Sequence, residues 1–95
     1  MLNLPEIATK EEINEFKQIV SDNVKRIRQE KKLSQLEVAL SIGQKSSGFY
    51  ANAENNSHDK HFNLVHLYKI AKLFEIDVVE FFIDSKKEFM LHNQK

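Results

Sequence analysis

Apolar residues recur at three- and four-residue spacing along most of the chain, the period of an amphipathic helix and not the alternation of a strand. Ile13, Phe16, Val20, Val24 and Ile27 form the first such stripe. Thr9 stands three residues before Glu12, the spacing of a capping box, so the stripe predicts a first helix from about Lys10 to Lys31. A second cap at Ser21 or Asp22 would divide that stretch into two helices, and the sequence leaves both arrangements open.

The next boundary is marked more sharply. Ser34 is suited to cap a helix, Glu37 to reach back to its amide, and Leu33 to pack on Val38 as a hydrophobic staple, which predicts a short helix from Gln35 to Ile42. Gly43 then supplies the left-handed residue that commonly ends a helix. A third helix is expected over about Ser46 to Glu54, with Phe49, Tyr50 and Ala53 turned inward. ENNSHDKHF reads as a polar loop, and Leu64, Leu67, Ile70, Ala71 and Phe74 predict a fourth helix over about Leu64 to Phe74. Asp77 caps a short fifth helix carrying Val78, Phe81 and Phe82. Beyond Asp84, Phe89, Met90 and Leu91 fit either a docking helical turn or a frayed end. The expected fold is all-α: a compact five-helix domain over residues 20–83, a helical N-terminal extension over 1–19 and a C-terminal tail over 84–95.

Composition agrees with this pattern. A chain of 95 residues has room for one domain with a small core, and two glycines and one proline are too few for a turn-rich sheet protein. With no cysteine, disulfides, thiolate nucleophiles and cysteine-held zinc are excluded, and a reducing cytoplasm is the expected location. No signal-like region opens the chain, and no window approaches the roughly 18 apolar residues that span a bilayer. A net charge of zero argues against bulk attraction to nucleic acid, but the charge is unevenly spread. Residues 1–16 carry about −3, residues 17–72 about +5 and residues 73–95 about −2, so the basic middle is the part suited to face phosphates.

From about Val24 to Phe82, roughly 60 percent of the chain, the order of signals resembles the Cro/phage-repressor (xenobiotic-response-element-like) class of helix-turn-helix domains. The resemblance is carried by Arg28 in RIRQEKK, by SQLEVALSIG with Gln35, Ala39 and Gly43, by Glu54, and by KIAKLFEIDVVEFF with Ala71 and its closing aromatics. It implies that small Ala39 lets the second and third helices approach closely, and that Arg28 and Glu54 form a partly buried ion pair. The chain departs from the family in two places: the stretch from Gly43 to Glu54 is one residue longer than the commonest pattern, and His61 and Phe62 stand where a proline is usual. Gly48, inside the expected third helix, suggests close approach to DNA or an irregular first turn.

The function implied is sequence-specific binding of double-stranded DNA by a homodimeric transcriptional regulator of the repressor kind. In such a protein the exposed residues of the third helix meet base edges in the major groove, here Gln44, Lys45, Ser46, Ser47 and Asn52. Gln35 holds the family position for a phosphate contact beside helix amides, and Asn55, Asn56 and Lys60 are suited to anchor the other side. Without the family pattern these would be ordinary solvated polar residues. Lys25, Arg26, Lys31 and Lys32 fit a solvated helix face or a phosphate-facing flank. For dimerisation the sequence offers Val79, Ile83, Phe89 and Leu91, or else Leu36 and Leu40, which Leu2, Leu4 and Ile7 of the extension are placed to cover within one chain.

Two rival functions compete with this one. His58, Asp59, His61 and His66 raise the idea of a metal or proton-transfer site, but their irregular spacing and the lack of a completing ligand speak against an enzyme, so no catalytic residue, metal, cofactor or small-molecule substrate is expected. The other is an antitoxin-like or adaptor module that keeps the fold but binds another protein, favoured by the neutral charge and the apolar ends.

Overall fold

The computed structural model describes residues 4–84 of the chain. Four α-helices follow one another: α1 Lys10–Glu30, α2 Gln35–Ser41, α3 Gly48–Glu54 and α4 Leu64–Phe74, then a 3-10 turn over Val78–Phe82. Among the described residues there is no strand. The fifth helix expected from the sequence is therefore this 3-10 turn. Asp77 caps it by accepting the Val79 amide, and the Asn23 amide takes the Phe81 and Ile83 carbonyls at 3.0 and 2.9 Å, which spends those carbonyls on α1.

α1 runs unbroken through Ser21 and Asp22, where the sequence allows a second cap. The Ser21 side chain is buried and its hydroxyl crosses to donate to the Ala53 carbonyl at 3.0 Å, while Asp22 accepts from Gln18 one turn earlier. Neither side chain is left to cap a new helix. Capping boxes open α1 (Thr9 with Glu12), α2 (Ser34 with Glu37) and α4 (Asn63 with His66), each satisfying amides that a helix start otherwise leaves orphaned.

All four helices end alike, with a left-handed residue followed by a bond from the next amide back to the helix's last turn. The left-handed residues are Lys32, Gly43, Asn56 and Glu75, and the returning amides of Leu33, Gln44, Ser57 and Ile76 reach the carbonyls of Arg28, Ala39, Asn52 and Ala71. Only one of the four is glycine, at φ +93°. Such an ending turns the chain sharply, so consecutive helices fold back across one another.

The core gathers one face from each element. Val20, Val24 and Ile27 of α1 meet Val38, Ala39 and Ile42, Tyr50, then Leu67, Ile70, Ala71 and Phe74, and Phe81 closes the end with its ring at a T-shaped 6.1 Å from Phe74. Each of the Val, Leu, Ile and Phe side chains here contributes about 1.5–3 kcal/mol when fully removed from water. Ala39 is fully buried, its single methyl leaving room for α3 to cross close to α2.

α3 begins at Gly48, two residues later than expected, with Lys45–Ser47 forming bends. Tyr50, Ala53 and Glu54 must all point inward, and this fixes the rotation of the helix.

Candidate nucleic-acid interface

α2, the turn after it and α3 form one surface, held by a buried polar network. The Arg28 guanidinium grips Glu54 with two bonds, Nε to Oε2 at 2.8 Å and Nη2 to Oε1 at 3.0 Å. Its third nitrogen donates to the Leu33 carbonyl at 2.7 Å, and Gln35 Nε2 adds a bond to Glu54 Oε1 at 3.1 Å. One carboxylate thus ties the end of α3 to α1 and to the start of α2. Ser21, reaching Ala53, makes a second tie beside it. A helix of seven residues has little stability of its own, so its position is set by these bonds and by Tyr50 and Ala53 in the core.

Burial by itself would raise the Glu54 carboxyl, but the hydrogen bonds from Arg28 and Gln35, with the Tyr50 hydroxyl nearby, outweigh it and hold Glu54 below the usual carboxylate range. The bond to Glu54 likewise raises Arg28 above its ordinary value, against the smaller opposing effect of burial. Burial first, and then the Glu54 charge, push the Tyr50 phenol well up, so it stays protonated; its hydroxyl is enclosed beside the pair. The charges here cancel locally, and the network acts as a frame, leaving the outer surface to other residues.

On that outer surface Lys45, Ser46, Gly48 and Asn55 are exposed, while Gln44, Ser47 and Asn52 are half-buried. Gln44 Oε1 is enclosed with no hydrogen-bond partner, and the Asn52 side chain accepts from the Ser57 hydroxyl at 3.2 Å. Lys45, Ser46 and Ser47 therefore lie on the bends that lead into α3, and Asn52 lies near its end. A Cβ on Gly48 would meet only the Ser46 hydroxyl oxygen, at 3.9 Å, so no neighbour in the chain demands glycine there.

The residues named for phosphate contact are divided. Asn55 and Lys60 are exposed. Gln35 is half-buried and gives an amide hydrogen to Glu54, and the Asn56 amide nitrogen donates to Asn14 and Gln18 of α1 at 3.1 Å each. Asn56 thus fastens the loop after α3 to the N-terminal half of α1. Neither that bond nor the buried roles of Ser21 and Asn23 is signalled in the sequence, beyond their place on or beside the apolar stripe.

The histidines do not converge. His61 Nε2 lies 3.1 Å from Asp59, His58 is exposed on a left-handed residue, and His66 sits on α4 with Nδ1 accepting the Asn63 amide at 3.2 Å and its ring against Phe49 at 5.2 Å. Among the described residues no three histidines or carboxylates are grouped to hold a metal ion. No helix among them is long and apolar enough to cross a membrane.

Of the dimer candidates, Val79 is exposed; Ile83 is half-buried, with its carbonyl bonded to Asn23. Phe89 and Leu91 lie outside the described residues, as does Leu2. Leu36 and Leu40 are about half exposed, and Leu4 and Ile7 are themselves exposed and do not cover them.

Among protein-family models, one described as helix-turn-helix matches residues 24–81. No curated protein and no solved structure gives a significant match to the chain. The matched segment runs from Val24 of α1 to Phe81 of the 3-10 turn, taking in the Arg28–Glu54 pair, the Gly43 turn and all of α2, α3 and α4. The chain belongs to the Cro/C1-type helix-turn-helix family of DNA-binding transcriptional regulators.

Proposed function

We propose that the chain is a sequence-specific regulator, of the repressor kind, that binds double-stranded DNA in the cytoplasm as a homodimer and reads the major groove with α3 and the bends before it. The observation that carries this reading is the division of labour between α3 and the bends before it: Tyr50, Ala53 and Glu54 are fully committed to the core and the buried network, while Lys45, Ser46 and Gly48 stand in solvent beside that frame. Rigid presentation of a few polar groups is what base-edge recognition requires.

Lys45 is suited to guanine acceptors, Ser46 to bases or phosphates, and Asn52 to the adenine edge once it gives up Ser57. Gln44 and Ser47, both half-buried, shape the turn and present their remaining polar groups beside it. Lys60 and Asn55 flank the helix on the phosphate side; Gln35 and Asn56 act there by bracing α3 and the following loop. With so few cations near α3, one copy binds weakly, and two copies on half-sites about one DNA turn apart are the natural remedy. No catalytic role is proposed. A second reading, an antitoxin-like or adaptor module, draws on Leu36 and Leu40, a half-exposed apolar pair on α2 that this scheme does not use.

The test is binding to a labelled random-sequence duplex between about 50 and 200 mM salt, where phosphate contacts cause affinity to fall steeply as salt rises. Salt-sensitive binding that weakens in Lys45→Ala and Lys60→Ala supports the proposal. Absence of binding at the lowest salt contradicts it and moves the protein-partner reading to first place.

A further inference from the structure

α1 continues its apolar stripe well before the family-matched segment begins at residue 24. Ile13 and Phe16 are in line with buried Val20, Val24 and Ile27, yet they are 45% and 55% exposed. They overhang the body of the domain. Beneath the overhang lies a cleft of about 130 Å³ walled mainly by Phe16, Val20, Phe62, Leu64, Leu67 and Phe82, with almost no polar lining. That is close to the roughly 150 Å³ that accepts a benzene-sized group, so the cleft has room for one large apolar side chain.

The cleft is part of a wider band. Phe16 stacks on Phe82 at 6.1 Å, and Leu64 at the mouth is 79% exposed. With Ile13 these side chains make a grouped apolar surface, not the single scattered apolar residues that a monomer carries without consequence.

We infer that this band, formed by the N-terminal half of α1, the start of α4 and Phe82, is the face on which a second copy of the chain docks, with Leu64 of each copy entering the cleft of the other. The inference rests on the dimeric reading above and names its surface. A two-fold interface must be self-complementary, which calls for a projection and a recess on one face. Exposed Leu64 stands at the edge of the cleft and supplies that pair. The neighbouring groove carries both signs of charge, Lys10 and Lys17 on α1 with Asp59 in the loop, so opposed copies find partners for their charges. The loop after α3 borders this face through His61 and Phe62 and is fastened to α1 through Asn56, so docking there also fixes the loop beside the DNA-reading helix.

Sedimentation equilibrium on the full chain, with Phe16→Glu, Leu64→Glu, Leu64→Ala and Leu40→Glu, tests this. The wild type is expected to be a dimer at micromolar concentration. Phe16→Glu and Leu64→Glu should raise the dimer dissociation constant at least about a hundredfold, with helical circular dichroism unchanged, because both side chains are exposed in the single chain. Leu64→Ala should weaken it in the same direction, and Leu40→Glu, on α2, should leave it alone. A wild type that stays monomeric overturns the inference, since terminal residues or another protein would then cover the band; so does dimerisation that survives both glutamate variants. Loss of the dimer in those variants without any DNA preference in the wild type would uphold the face and reject the DNA reading. A two-fold DNA motif bound by still-dimeric variants would do the reverse.

Discussion

Glu54 holds a negative charge where its side chain meets no solvent, and it is stable there only because Arg28, itself 12% exposed, meets it with two bonds. Removing one partner leaves the other charge buried alone. Glu54→Ala should therefore cost about 3–5 kcal/mol in urea unfolding, far more than a surface pair would. Because the folded carboxyl lies below the ordinary value of 4.5, the stability it supplies is present above that pH and is lost as pH falls through the folded value. Glu54→Gln should flatten the acid limb of the wild-type stability curve; an unchanged limb would show that other carboxylates dominate it.

His66 carries the same sign at higher pH, although it is a base. Burial first, and then nearby Lys69, hold it below 6.5, and its Nδ1 accepts the Asn63 amide only while unprotonated. The unfolded chain then binds more protons than the folded one, so stability should decline as pH drops below about 6.5 and level off once the folded ring also titrates. His66→Gln keeps a side chain able to complete the capping box and should remove that part of the decline in thermal melts from pH 7.5 to 5.5. The sequence marked His66 as one of a histidine cluster; its actual place depends on Asn63 and Phe49, a three-dimensional arrangement that spacing does not reveal.

At the scale of elements, the boundaries set by a local signal were readable, the starts of α1 and α2 and the ending at Gly43 among them. Ser34 with Glu37 and Thr9 with Glu12 announce themselves, because a cap is a local bond between residues three apart. Gly43 was equally legible, but the same left-handed ending occurs at Lys32, Asn56 and Glu75, side chains that give no such signal. The left-handed conformation costs a residue with a Cβ roughly 1–2 kcal/mol. Glu75→Gly should thus stabilise the fold by up to about 1 kcal/mol, and Gly43→Ala should destabilise it by a similar amount although open space surrounds the site. Opposite results in paired chemical melts would mean that packing, not backbone conformation, governs these ends. The late start of α3 and the 3-10 turn escaped the sequence for one reason. Both are decided by tertiary bonds, the first by the inward demand of Tyr50, Ala53 and Glu54 and the second by Asn23.

Across the whole molecule, one polar network joins α1, α2 and α3 and leaves Lys45, Ser46 and Gly48 exposed to meet a ligand. The family was legible because its frame residues, Arg28, Ala39, Gly43 and Glu54, occur at fixed intervals. The reading residues were less so, because exposed polar side chains obey no packing rule and the turn before α3 holds one residue more than the common pattern. Gly48 is the sharpest case. Gly48→Ala meets no clash within the chain, so a loss of DNA affinity without a loss of stability would place the DNA backbone against it.

The most direct measurement is selection from a pool of random duplexes at about 150 mM salt, followed by sequencing of what the protein retains. The account predicts a two-fold-symmetric motif with half-sites about 10 base pairs apart, whose inner bases change preference when Lys45 or Ser46 is replaced. A pool that returns no enriched sequence, bound only at low salt, would contradict sequence-specific reading by α3.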